Sequence, residues 1–332
     1  MKYLILLVLF ISQEVFSIPE GTNHFQEWQN HALPFYEEMS HDFFKNAQGM
    51  TIHFKKLGRP ENKKTLVIIP GQSEAAIKYA EVIYDLKDEG FNFYVLDHQG
   101  QGESDRLLFD HQKSHVRFFK DYVNDLNQWV EEIIVPENKD QELYLLAHSM
   151  GGAISIYSLI DLQKYFKKAI FLAPMLEINT RPYSEFVARL YASFLVKIGR
   201  GPYYAPTKGP YVPVRDTFEK NVFTHSQNRF EMMKFVRIQW PEQVVAGPTA
   251  RWVNESLKAT HYIDRLAPKI KIPIKLLQAE ADLIVKLRRQ TSFCSKAVEC
   301  ELILMPQSGH EILMEKDETR NKAMEIIRNF LN

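Results

Sequence analysis

Charge of either sign is not in excess in this 332-residue chain: Lys plus Arg and Asp plus Glu both number 41, for a formal net charge of zero. Nucleic acid, which needs a basic face to neutralise its phosphates, is therefore set aside as a partner. Long apolar runs are also missing at the start, where Tyr3 to Ile11 spans nine residues, far short of the roughly 20 that a helix needs to cross a bilayer. Neither a phosphate-cradling P-loop nor a dinucleotide fingerprint occurs, so no organic cofactor is implied. There is no internal repeat or low-complexity tract, which excludes a solenoid. Cysteine is limited to Cys294 and Cys300. So close a pair allows either a bridge closing a small loop or two ordinary buried thiols.

Apolar residues make up 45% of the chain, enough for the core of one large α/β domain or two small ones. Lys2, the short apolar run and the stretch Ser12 to Ser17, with Val15 and Ser17 placed for signal peptidase, predict a secretory signal over residues 1–17. No cysteine near that cut offers a lipid-anchor site. Residues 18–40 mix aromatic and polar side chains without clear period and read as an arm across the domain. From Asp42, two extended runs flank the turn Asn46-Ala47-Gln48-Gly49, which suggests a hairpin at a sheet edge.

Continuous apolar runs recur at Thr65 to Ile69, Phe91 to Leu96, Leu143 to Leu146, Ala169 to Leu172, Ile274 to Leu277 and Leu302 to Met305. They read as strands buried on both faces. Between them lie helical patterns, clearest over Val116 to Ile134, where Phe119, Tyr122, Val123, Leu126, Val130 and Ile133 share one face. Strands alternating with helices imply a mostly parallel sheet. The alternation breaks between Pro174 and Pro268, where helix-like stretches surround a Gly-, Pro- and Tyr-rich loop. That segment reads as an insertion. Its first helix sets Phe186, Leu190, Tyr191, Phe194 and Ile198 along one stripe, as a lid over an apolar substrate would and, more simply, as any packed helix does.

The stretch Leu145-Leu146-Ala147-His148-Ser149-Met150-Gly151-Gly152, leading into the apolar Ala153 to Leu162, reads as strand, sharp turn, helix. A serine at such a turn has its hydroxyl exposed at the sheet's C-terminal edge, and small residues two before and two after it relieve crowding. Ala147 and Gly151 take those places. A serine hydroxyl needs a base to take its proton, and the base needs a carboxylate to orient it. Asp282, on the loop after Ile274 to Leu277, and His310, on the loop after Leu302 to Met305, stand in the order this fold uses; Glu280 competes as the acid. The backbone N–H groups of Met150 and Gln72 are the expected oxyanion donors, with Ser73 expected to cap the next helix. His111 and His115 stand four apart, as metal ligands on a helix would, but no further ligand accompanies them, so no metal is expected. Asn254-Glu255-Ser256 matches a glycosylation acceptor inside a predicted helix.

Asp97-His98-Gln99-Gly100-Gln101-Gly102-Glu103-Ser104, the Ala-His-Ser-Met-Gly-Gly turn, Gly247-Pro248-Thr249 and Gly309-His310-Glu311-Ile312-Leu313-Met314-Glu315 together resemble the bacterial lysophospholipase and monoacylglycerol lipase branch of the α/β hydrolases, the serine aminopeptidase S33-like enzymes. The resemblance runs from about Phe43 to the C-terminus. It departs in Ala147, usually glycine, and in Pro70, where many relatives have histidine. It implies an α/β-hydrolase fold: a core over residues 18–173 and 269–332, with a helical cap over 174–268. It further implies a Ser149, Asp282 and His310 triad, oxyanion donors at Gln72 and Met150, and hydrolysis of a lysophospholipid or monoacylglycerol. A secreted or periplasmic protein that touches lipid surfaces is the corresponding expectation. A peptidase or thioesterase of the same fold, and a non-catalytic lipid-binding relative, are the alternatives.

Overall fold

The six apolar runs become neighbours in one eight-stranded sheet of order β1-β2-β4-β3-β5-β6-β7-β8. The structure, a computed structural model, describes residues 17–332; the expected signal segment lies outside them apart from Ser17. The strands are β1 (Ser40–Lys45), β2 (Thr51–Leu57), β3 (Lys64–Ile69), β4 (Phe91–Leu96), β5 (Glu142–His148), β6 (Phe166–Leu172), β7 (Ile274–Ala279) and β8 (Cys300–Met305). The hairpin β1–β2 and the β2–β4 pair are antiparallel, and every other pair is parallel. Alternate residues of the inner strands feed two apolar layers: Leu145 packs with Trp129 and Phe171 on one face, Leu146 with Phe93 and Leu66 on the other.

Helices α1 (Ala80–Asp85), α2 (Phe119–Trp129) and α3 (Ser149–Leu162) connect the strands up to β6. The chain from β6 to β7 carries α4 (Glu185–Lys197), α5 (Gln227–Gln239) and α6 (Ala250–Thr260). Helices α7 (Leu287–Lys296) and α8 (Asp317–Leu331) flank β8. A disulfide joins Cys294 of α7 to Cys300 at the start of β8.

Three expectations are corrected. Residues 18–40 do have a period: successive helical segments His24–Glu27, Trp28–Ala32 and Leu33–Glu37 bury Trp28, Ala32 and Tyr36, and Met39 just after them is buried too. The stripe is narrow and its members include buried His24, so the sequence period is obscured. Strand β8 is not buried on both faces, because it is the sheet's far edge and leaves Leu302 and Leu304 36% and 44% exposed. The stripe on α4 is not packed: Phe186, Leu190, Tyr191, Phe194 and Ile198 are each about half exposed or more, while its opposite face buries Ala192 and Ser193 donates to Asn254 of α6.

Candidate active site

The chain leaves β3 toward β4 on one side and later enters β5 on the other, so the β3/β5 pair is where the winding reverses. Ligand crevices form outside the carboxyl ends of strands at such a point. Ile69 pairs with Ala147 there, which sets the loop after β3 beside the turn after β5. Ser149 occupies that turn with φ of +48°, a left-handed backbone held against its steric cost. A methyl group at Gly151 would lie 2.2 Å from the Ile69 carbonyl oxygen, so the packing of helix against strand demands glycine. Ala147 is fully buried and fits without displacing the turn.

The two late loops bring Asp282 and His310 to the serine. His310 Nε2 lies 2.8 Å from Ser149 Oγ, and His310 Nδ1 lies 2.6 Å from Asp282 Oδ2. The other carboxylate oxygen of Asp282 accepts the backbone N–H groups of Ile284 and Val285 at 2.7 and 3.0 Å, which fixes its orientation. Glu280, the competing acid, accepts from the Gln307 N–H at the surface instead.

Met150 lies in the first turn of α3, where N–H groups have no intrahelical acceptor. On the loop after β3, Gly71 N–H donates to Glu74 Oε2 at 2.7 Å and Ser73 N–H to Gln101 Oε1 at 2.9 Å. The Gln72 N–H between them has no acceptor among the described residues. Gln101 also donates to the carbonyls of Gly71 and Glu74 at 2.8 and 3.0 Å, and His98 to the Pro70 carbonyl at 2.9 Å. Ser73 does not cap a helix. Its φ of +64° turns its hydroxyl onto the Ala246 carbonyl at 3.0 Å, tying this loop to the insertion.

Behind the triad lies a buried ionic cluster that sequence reasoning missed. His148 Nδ1 lies 2.6 Å from Glu74 Oε1, and His148 Nε2 lies 3.2 Å from the carbonyl oxygen of His310. Lys78 joins Glu74, at 2.8 Å, to Glu311, and the Tyr79 hydroxyl donates to Glu74 Oε2 at 2.8 Å. Burial opposes charge on His148, yet Glu74 and Glu311 outweigh it and raise its pKa. Burial likewise opposes charge on Glu74, and Lys78 and His148 hold it well below the usual carboxylate range. A doubly protonated His148 satisfies both of its acceptors. The cluster thus pins the backbone of the oxyanion loop, the nucleophile turn and the His310 loop to one another. Its sequence signal was a set of charged residues, His148 and Glu311 among them, placed beside Ser149 and His310 at the ends of apolar strands.

Two weaker sequence features come apart. His111 and His115 lie in a loop, and buried His115 contacts Thr249 Oγ1 at 2.9 Å, so they share no helix face. Asn254 is buried and accepts from Ser193 at 2.7 Å, which leaves no room for a glycan.

Comparison with known proteins finds relatives along most of the chain. Residues 60–317 match the family described as serine aminopeptidase, S33. The probable lysophospholipase L2 of Haemophilus influenzae is 31% identical over 90% of this chain and 94% of its own length. Lysophospholipase L2 of Escherichia coli is 33% identical over 90% of this chain and 89% of its own. Among solved structures, a soluble variant of monoglyceride lipase from Saccharomyces cerevisiae superposes with a TM-score of 0.70 at 17% identity, covering 89% of this chain and 94% of that one.

Proposed function

The chain belongs to the serine aminopeptidase S33 family of α/β hydrolases, and from that premise we propose that it is a serine ester hydrolase of lysophospholipase or monoacylglycerol lipase type. The observation that carries the proposal is the hydrogen-bonded chain Asp282–His310–Ser149 at the sheet's switch point. In the proposed mechanism His310 takes the Ser149 proton as Oγ attacks the ester carbonyl, and ionised Asp282 stabilises the imidazolium. The N–H groups of Gln72 and Met150 receive the oxyanion. His310 returns the proton to the departing alcohol, and water, deprotonated by the same histidine, frees the fatty acid from the acyl-enzyme.

The relatives that are 31% and 33% identical over 90% of this chain are named lysophospholipases, which favours a single-chain acyl lipid over a peptide. The exposed stripe of α4, with Arg181, Lys197 and Arg200 exposed around it, supports docking of the insertion on a lipid surface. Among the described residues no helix is long and apolar enough to cross a membrane. The signal-like start and the Cys294–Cys300 disulfide support export to an oxidising compartment, secreted or periplasmic.

Hydrolysis of lysophosphatidylcholine, monoacylglycerol, a short p-nitrophenyl ester and an aminoacyl p-nitroanilide, read as fatty acid, p-nitrophenol or p-nitroaniline released, tests the reading. Ester turnover by the wild type is expected to fall by about 10⁴-fold or more in Ser149→Ala. Cleavage of the anilide alone would transfer the assignment to a peptidase. Intact mass of the exported protein is expected to begin at Ile18.

A further inference from the structure

At the antiparallel edge of the sheet, away from the serine, the register assembles a second set of chemically able side chains. Phe43 of β1 pairs with His53 of β2, and His41 with Lys55. His41 and His53 are therefore diagonal neighbours on one face of the hairpin, within reach of each other. The ladder continues to the residue after β4, where the Asp97 N–H donates to the His53 carbonyl at 2.9 Å. The loop that follows returns Glu103 over the same face.

We infer that His41, His53 and Glu103 form a binding site for a divalent transition-metal ion of the zinc class. The three donor atoms lie within 4.8 Å of one another: His41 Nδ1 is 3.6 Å and His53 Nε2 is 3.9 Å from Glu103 Oε2. Ligands around a tetrahedral zinc stand about 3.4 Å apart, given metal–ligand distances of about 2.1 Å. Closing the set takes shifts of under about 1 Å, and the side chains that must move, those of His41 and Glu103, are 50% and 32% exposed. His53 need not move. It is fully buried, its Nδ1–H donates to Asp97 Oδ2 at 2.7 Å, and its Nε2 has no hydrogen-bond partner. A carboxylate behind the imidazole fixes its tautomer and aims the free lone pair outward, as the outer partners of metal-bound histidines do. Asp97 is itself held by the N–H groups of Ala76 and Glu103 at 2.7 and 3.0 Å.

The remaining charges suit a cation. Gln243 occupies only Oε1 of Glu103, at 3.1 Å, so Oε2 faces the histidines. The nearby ammonium of Lys55 is turned onto the carbonyls of Tyr36 and Met39, leaving Asp97 and Glu103 to make the local balance negative. Two imidazoles with one carboxylate favour zinc-class ions over calcium or magnesium, which prefer an all-oxygen shell.

Zinc titration of the full chain, purified without a polyhistidine tag and stripped of metal, tests this by calorimetry, with cobalt(II) visible absorption in parallel. The inference expects one zinc per chain, and a loss of affinity of at least about tenfold in His41→Ala and in Glu103→Gln. Both variants should keep the wild-type melting temperature in chelator and lose the zinc-induced rise. Binding of equal affinity in wild type and both variants, or no saturable binding in the wild type, would overturn it. Neither residue belongs to the ester-hydrolysing machinery, so this result and the serine test stand apart.

Discussion

Helices α2 and α4 carry the same kind of apolar stripe and meet opposite fates. On α2, Phe119, Tyr122 and Leu126 are at most 5% exposed; on α4, Phe186, Leu190 and Phe194 are 55–61% exposed. Composition and spacing do not separate them. Connectivity does, because α2 joins β4 to β5 and a crossover between strands of one sheet must pack back onto that sheet. Helix α4 also belongs to a crossover, since β6 and β7 pair, but there the return to the core is made further along by Ile263 and Ala267 and not by α4. It sits in the long excursion between β6 and β7, where nothing in the sheet obliges its outer face to be covered. A periodic stripe therefore says that a face is apolar, and topology says what covers it.

The sharpest way to break this comparison is to truncate matching leucines. Leu126→Ala should cost about 2–5 kcal/mol of unfolding free energy, the loss of a buried side chain plus the cavity left behind. Leu190→Ala should stay within about 0.5 kcal/mol of wild type, as exposed substitutions do. Urea denaturation of both variants checks this. Comparable losses would mean that the α4 stripe is packed in solution.

The same distinction separates what was legible in the sequence from what was not. The parallel strands, the edge hairpin and the insertion follow from local patterns, continuous apolar runs for buried strands and a Gly-bearing turn between Lys45 and Thr51. Ser149, Asp282 and His310 could be picked out because each stands on a loop that follows a readable strand. Glu74, Lys78 and Gln101 could not, because their importance arises only when the β3/β5 switch folds the loop after β3 over His148. The His41–His53 diagonal was hidden for a related reason: it depends on the exact register of a hairpin whose existence, but not whose pairing, is readable. Ser73 misled through its residue type, since a serine ahead of a helix looks like a cap until its positive φ sends the hydroxyl to Ala246.

A second experiment sharpens the comparison at the level of function. If the bare face of α4 meets lipid aggregates, Leu190→Glu with Phe194→Glu should weaken turnover of micellar lysophosphatidylcholine by at least about tenfold, because it withholds two apolar side chains from the interface and sets two carboxylates in their place. The loss should appear in KM. Hydrolysis of a monomeric p-nitrophenyl ester should be unchanged, because α4 contributes no side chain to the triad or to the oxyanion loop. Equal loss on both substrates would instead make the stripe part of the acyl-binding wall.

The smallest expected effect lies where the two regions join. Ser114 N–H donates to the Gly247 carbonyl at 3.2 Å, Thr249 N–H to the Ser114 carbonyl at 2.9 Å, and His115 contacts the Thr249 hydroxyl. Burial, with Arg251 and Lys113 nearby, lowers the pKa of His115 to about 4 from an ordinary 6.5. The folded state therefore holds this imidazole neutral where the unfolded chain would protonate it. Its contribution to stability is complete above pH 6.5 and is lost as pH falls toward 4. Solvent screening at this partly open seam should hold the effect to about 1 kcal/mol. His115→Asn, which keeps a hydrogen-bonding group toward Thr249 but does not titrate, should flatten the stability profile between those pH values when urea midpoints are compared. A variant profile as steep as the wild type's would assign the acid sensitivity to other groups and leave the junction of core and insertion indifferent to pH.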